Sequence, residues 1–138
     1  MKLGLKKKTD LALRAVLALA EERERCKGSK LAERIGTSAP FIGQVISPLV
    51  RQGWVTSDPG PAGGYRIAAD LAKVSLLQLI EAVEGPTKDD RCVLWGTPCP
   101  RAEPCALHDP WKRARRALLR ELDATSLAAV AAKNEDKA

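Results

Sequence analysis

The stretch SKLAERIGTSAPFIGQVISPLVRQGWVTSDPGPAGGYRI, residues 29–67, decides the fold. Its first third predicts a short helix over Lys30–Ile35, capped by Ser29 and ended by Gly36. A second helix is expected with Ser38 as its cap and Pro40 in the first turn, where a missing N–H costs little. Ile42, Val45, Ile46 and Leu49 follow at i, i+3, i+4 and i+7, the period of one buried helical face, and Gly53 closes the element. Pro48 inside this helix removes the bond to the Gln44 carbonyl and predicts a kink. Two helices around the Gly36–Thr37 turn have the proportions of a helix-turn-helix. The β-prone run Trp54–Ser57, the Gly/Pro-rich loop Asp58–Gly64 and Tyr65–Ile67 then read as a β-hairpin. Directly behind a helix-turn-helix, such a hairpin is a wing.

Working outward, residues 1–8 form a basic arm, and Thr9 is expected to cap a helix running to about Glu24. That helix is apolar on nearly every side, so it should be buried against several partners. Downstream, Ser75 with Gln78 predicts a capping box for a helix through Leu76, Leu79, Ile80 and Val83, stopped by Gly85-Pro86. Residues 86–108 have no usable periodicity. Asp109-Pro110 then starts a long helix in which Trp111, Ala114, Leu118 and Leu122 make a stripe, and a last turn or two covers Ser126–Ala132. The expected fold is mainly α with a small β-hairpin wing. The expected organisation is a winged helix-turn-helix over 1–85, a cysteine-rich loop over 86–108, a long helix and short C-terminal helix over 109–132, and a flexible tail over 133–138.

A hydrophobic content of 45% with 29% charged residues is that of a soluble globular chain of 138 residues. The longest apolar run, Leu11–Ala20, contains Arg14 and is about half the roughly 20 residues of a membrane span, so a cytoplasmic protein with no membrane partner is expected. The net charge of +6 is unevenly placed. Residues 1–70 hold 12 Lys/Arg against 7 Asp/Glu, and residues 71–138 hold 11 against 10. A basic first half suits a polyanion, because Lys and Arg release the counterions condensed on nucleic acid.

In a helix-turn-helix the second helix enters the major groove of double-stranded DNA. Its candidate contacts are Ser38, Pro40, Phe41, Gln44, Ser47 and Arg51. Gln44 is suited to adenine, Phe41 to thymine methyl groups, and the serines to phosphates. Arg66 adds a cation on the wing. The other constellation is Cys92, Cys99, Cys105 and His108, spaced C-x6-C-x5-C-x2-H among prolines that stiffen the loop. Soft thiolates and an imidazole suit zinc or an iron–sulfur cluster, and spacing does not choose between them. Nothing points to an enzyme: there is no Cys-x-x-Cys and no Gly-rich phosphate loop. Cys26, between Arg25 and Lys27, stands apart as a bystander or, with a lowered pKa, a reactive thiol.

The opening Met1-Lys2-Leu3, Thr9-Asp10-Leu11-Ala12-Leu13-Arg14, the Gly53-Trp54-Val55 exit, Gly63-Gly64-Tyr65 and the three cysteines together resemble the Rrf-two family of bacterial regulators, over roughly residues 1–132. The resemblance implies a homodimer paired through the helix near 109–123, and a DNA-binding repressor whose affinity an iron–sulfur cluster switches in response to redox state, nitric oxide or iron supply. It offers two fourth ligands. Cys105-Ala106-Leu107-His108 resembles the branch with a 2Fe–2S cluster, whereas Thr9-Asp10-Leu11 resembles the branch in which Asp10 of the partner would complete a 4Fe–4S cluster; His108 is preferred. A zinc-stabilised DNA-binding dimer without sensing is the alternative. Family members usually carry a wing arginine where this chain has Ser57-Asp58-Pro59-Gly60, and Asp58 there would repel phosphate.

Overall fold

The computed structural model describes residues 3–87, 92–94 and 105–135. Six helices and one hairpin make up the described chain: α1 (Lys7–Ala20), α2 (Gly28–Ile35), α3 (Ala39–Arg51), β1 (Val55–Asp58), β2 (Gly64–Ile67), α4 (Leu76–Glu84), α5 (His108–Ala124) and α6 (Leu127–Glu135). A single 3-10 turn at Leu71–Lys73 links the hairpin to α4, with the Asp70 carboxylate accepting from the Ala72 N–H. The expected winged-helix, mainly α architecture is therefore the observed one.

α1 lies at the centre. Leu11, Ala12, Ala15, Val16, Ala18 and Leu19 are all buried, and the helix packs against α2, α3, α4, α6 and β2. Its near-continuous apolar surface is explained by that number of neighbours. α2 and α3 close the core with Leu31, Ala32 and Ile35 against Ile42, Val45, Ile46 and Leu49, the i, i+3, i+4, i+7 set read from the sequence. Gly36 ends α2 at φ 77°, a left-handed conformation that a side chain would strain. The capping box at Ser75 and Gln78 forms as expected, and the Ser75 hydroxyl also donates to Asp123 at 3.0 Å.

Several expected details differ. Thr9 does not cap α1: the helix starts at Lys7, and the fully buried Thr9 instead donates its hydroxyl to Glu84 at 2.6 Å. α1 stops at Ala20 rather than Glu24, because the chain turns through its charged run to bring Cys26 beside Tyr65. Lys27, not Ser29, precedes the first turn of α2, and Ser38 sits at the cap of α3 without a side-chain capping bond. Pro48 lies inside α3 with its ring fully buried, so the bond it cannot make to the Gln44 carbonyl does not end the helix. α5 begins at His108, one residue before the expected Asp109 cap.

α5 is the exception to the packed body. It rests chiefly on α4, antiparallel to it, and none of its 17 residues is buried. The expected stripe straddles the edge of that contact. Trp111, Arg115, Leu119 and Leu122 are half-buried, while Ala114 and Leu118 face outward. Beyond α5 the chain folds back: Leu127 is fully buried, and its N–H donates to the Val74 carbonyl at 2.8 Å.

Candidate DNA-reading face and cysteine pair

The periodicity that buries one side of α3 exposes the other. Pro40, Gly43, Gln44, Ser47 and Arg51 recur at i, i+3, i+4, i+7 and i+11, and all are exposed, as is Ser38. The face is narrow, small and mostly uncharged, so a groove can approach the backbone closely and meet Gln44 at its middle, with Arg51 at its C-terminal end as the second side chain able to bond a base edge in bidentate fashion. Phe41 departs from the expectation: it is half-buried and packs against the core, which leaves only part of its ring for a base.

The hairpin stands directly behind α3. β1 and β2 pair antiparallel, with Val55 opposite Ile67, Thr56 opposite Arg66, Ser57 opposite Tyr65 and Asp58 opposite Gly64. Cys26 adds a third rung: its N–H donates to the Tyr65 carbonyl at 2.9 Å and its carbonyl accepts from Tyr65 at 2.8 Å. Gly64 is required here. It adopts φ +146°, and a Cβ on it would stand 2.5 Å from the Cys26 carbonyl oxygen. Arg66 is exposed, as expected of a contact residue. Asp58 is not free to repel phosphate, because Arg25 pairs with it. The sequence reading missed Arg25; the polar–apolar–polar alternation Arg25-Cys26-Lys27 was the signal available. Cys26 itself is a core thiol. Burial pushes its pKa up, the nearby Glu22 carboxylate adds to this, and a lowered-pKa reactive role is thereby corrected.

Ahead of α5, Cys92 and Cys105 come together with their sulfurs 3.7 Å apart. Cys92 is buried and Cys105 is half-buried, immediately before α5. Two thiolates bound at about 2.3 Å to one tetrahedral metal stand roughly 3.8 Å apart, so this pair has the spacing of two ligands on a single metal atom. Cys99 lies outside the described residues. His108 occupies the same turn as Cys105, its backbone N–H donating to the Cys105 carbonyl at 3.0 Å. Asp10 is on α1, where it pairs with Arg14 at 3.1 Å. Among the described residues neither His108 nor Asp10 completes a group of three metal-binding side chains. No helix among them is long and apolar enough to cross a membrane.

A family profile described as the Rrf2 iron-dependent transcriptional regulator matches residues 5–133. The chain belongs to the Rrf2 family. It is similar to an HTH-type transcriptional regulator of Neisseria meningitidis, 30% identical over 114 residues that cover 83% of this chain and 76% of that protein. It is also similar to the transcriptional regulator IscR of Vibrio vulnificus, 30% identical over 112 residues, 81% of this chain and 66% of the other. Two solved structures share the fold. IscR of T. potens superposes with TM-score 0.78 at 23% identity, covering 99% of this chain and 92% of that one. CymR of B. subtilis, the global cysteine regulator, superposes with TM-score 0.77 at 25% identity, covering 96% and 98%. This Rrf2 protein is thus a transcriptional regulator, a DNA-binding rather than an enzymatic role.

Proposed function

We propose that this Rrf2 regulator is a cytoplasmic homodimeric repressor whose DNA affinity is switched by an iron–sulfur cluster held by Cys92, Cys99 and Cys105. The carrying observation is the sulfur pair. Two cysteines 13 residues apart in sequence stand 3.7 Å from each other at the mouth of α5, in a family whose profile is described as iron-dependent. That separation suits two thiolates on one metal atom, and Cys99 and His108 would supply the remaining ligands of a 2Fe–2S cluster. When bound, the cluster supplies an electron-accepting, oxidant-sensitive centre. The chain's own part is to hold the thiolates beside α5 and to pass on their state through that helix. In the dimer, the outward Ala114–Leu118 side of α5 meets a second copy, so a change at its cysteine end alters the spacing of the two α3 helices. Half-site spacing is a strong geometric constraint on DNA binding.

The test is anaerobic purification followed by absorption and Mössbauer spectra of wild type, Cys105→Ala, His108→Ala and Asp10→Ala, with DNA binding measured before and after oxidation. Visible absorption lost in Cys105→Ala, altered in His108→Ala and unchanged in Asp10→Ala is the expected result. Colourless protein with stoichiometric zinc overturns the sensing role and leaves a zinc-stabilised dimer. The same sulfur contact favours a second reading, a thiol switch in which Cys92 and Cys105 close a disulfide. Colourless, metal-free protein whose DNA affinity changes on oxidation and recovers with a dithiol reductant selects it.

A further inference from the structure

The rung that Cys26 adds to the hairpin places charge where the two-stranded wing has little. Because Cys26 pairs antiparallel with Tyr65, Arg25 lies level with Arg66 and Thr56, and Lys27 lies level with Gly64 and Asp58. Side chains alternate across a sheet, and the burial follows. Cys26 and Val55 point into the core with Tyr65 and Ile67 half-buried beside them, whereas Arg25, Lys27, Thr56 and Arg66 are exposed. One outer face therefore carries three cations and a single anion, Asp58. Arg25 is held to Asp58 through its Nε, across Gly64, which has no side chain to obstruct it. Lys27 and Arg66 make no ion pair among the described residues. Like charges set level on neighbouring strands cost stability, and here nothing within the described chain offsets the cost of Arg25 beside Arg66 except one carboxylate.

We propose that this outer face is a phosphate-binding surface for double-stranded DNA, with Arg25 and Lys27 joining Arg66 as its contacts and Asp58 positioning the Arg25 guanidinium. The assignment rests on the reading of the chain as a DNA-binding regulator. It favours DNA over another polyanion because the face belongs to the hairpin that follows α3 directly in the chain and packs against it. Two of the contacts come from the segment before α2, so the surface that meets phosphate spans both sides of the helix-turn-helix.

Phosphate contacts are read by salt. Binding to a random-sequence duplex of about 20 base pairs, roughly two helical turns, is measured across salt concentrations for wild type, Arg25→Gln/Lys27→Gln, Lys27→Gln and Lys133→Gln. Each lost contact lowers the slope of log affinity against log salt by about 0.9. The double variant is expected to lose about 2 per bound protomer and Lys27→Gln about 1, with unchanged thermal midpoints. Lys133→Gln, on α6, should match wild type. Lys27 has no ion pair to lose, so its variant keeps the test valid if the double variant folds poorly. A wild-type slope in Lys27→Gln and the double variant overturns the assignment, as does an equal loss in Lys133→Gln. Wild-type protein with no salt-dependent DNA binding overturns the regulator reading itself, and this assignment with it.

Discussion

The α1–α3 body and the α5 arm obey opposite rules. In the body, seven of the 14 residues of α1 are buried, and Arg14, Arg25, Lys30 and Arg34 all pair with carboxylates. In α5, none of 17 residues is buried, and Lys112, Arg113, Arg116 and Arg120 make no ion pair among the described residues. Propensity and local pairing rarely stabilise a lone helix in water; an amphipathic face buried against something does. The body therefore carries its own folding energy, while the arm rests, among the described residues, chiefly on α4 and keeps an outer face, including the half-exposed Leu118, that a second copy would cover.

The contrast is broken or sharpened most sharply by a matched pair of substitutions. Leu49→Ala, at a fully buried site, should cost about 2–5 kcal/mol in denaturant unfolding. Leu118→Gln should leave unfolding of the isolated chain almost unchanged and shift sedimentation toward monomer. Equal losses of stability in both would mean that the arm is part of the core. Next in size, Gly64→Ala forces a Cβ against the Cys26 carbonyl and should cost about 2–3 kcal/mol. Its characteristic sign is loss of amide-exchange protection at Cys26 and Tyr65 before the rest of the body. Thr9→Val removes the side-chain hydrogen bond that ties the start of α1 to the end of α4, at about 1–2 kcal/mol. A stability unchanged from wild type would show that Glu84 finds water instead.

The smallest effect is on pH. The Cys26 pKa is raised in the folded state, by burial first and by Glu22 second. The unfolded chain therefore releases that proton at lower pH than the native one. Stability from this group is complete below the ordinary thiol range and declines as pH rises through and above it. Replacing Cys26 with Ala should flatten that alkaline decline in thermal melts. At neutral pH, Cys26 should react with a thiol reagent more slowly than Cys105.

The fold was legible because its signals were local and mutually consistent. The α3 stripe, Gly36, the capping box and the two strands each depend on neighbours a few residues away, and each is where the pattern puts it. Long-range partners were not legible. Thr9 looked like a cap because hydroxyls favour that position, but Glu84, 75 residues away, claims it. Asp58 read as a repulsive charge until the turn of Cys26 onto Tyr65 brought Arg25 to it. At the cysteine site, ligand type and spacing were readable, and the structure joins Cys92 to Cys105. Which residue faces them from elsewhere is a tertiary matter that spacing does not encode.

α5 is pinned at one end and loaded at the other. Its C-terminal end is fastened where Leu76 donates to the Thr125 carbonyl at 2.8 Å, Ser75 holds Asp123, and Leu127 is sunk into the body. Its N-terminal end starts beside the two sulfurs. Seventeen helical residues span about 25 Å, so a tilt of roughly 5° about the pinned end carries the sulfur end some 2 Å sideways. The helix is in effect a pointer, in which displacement grows with distance from the Ser75 end and is greatest at the cysteines.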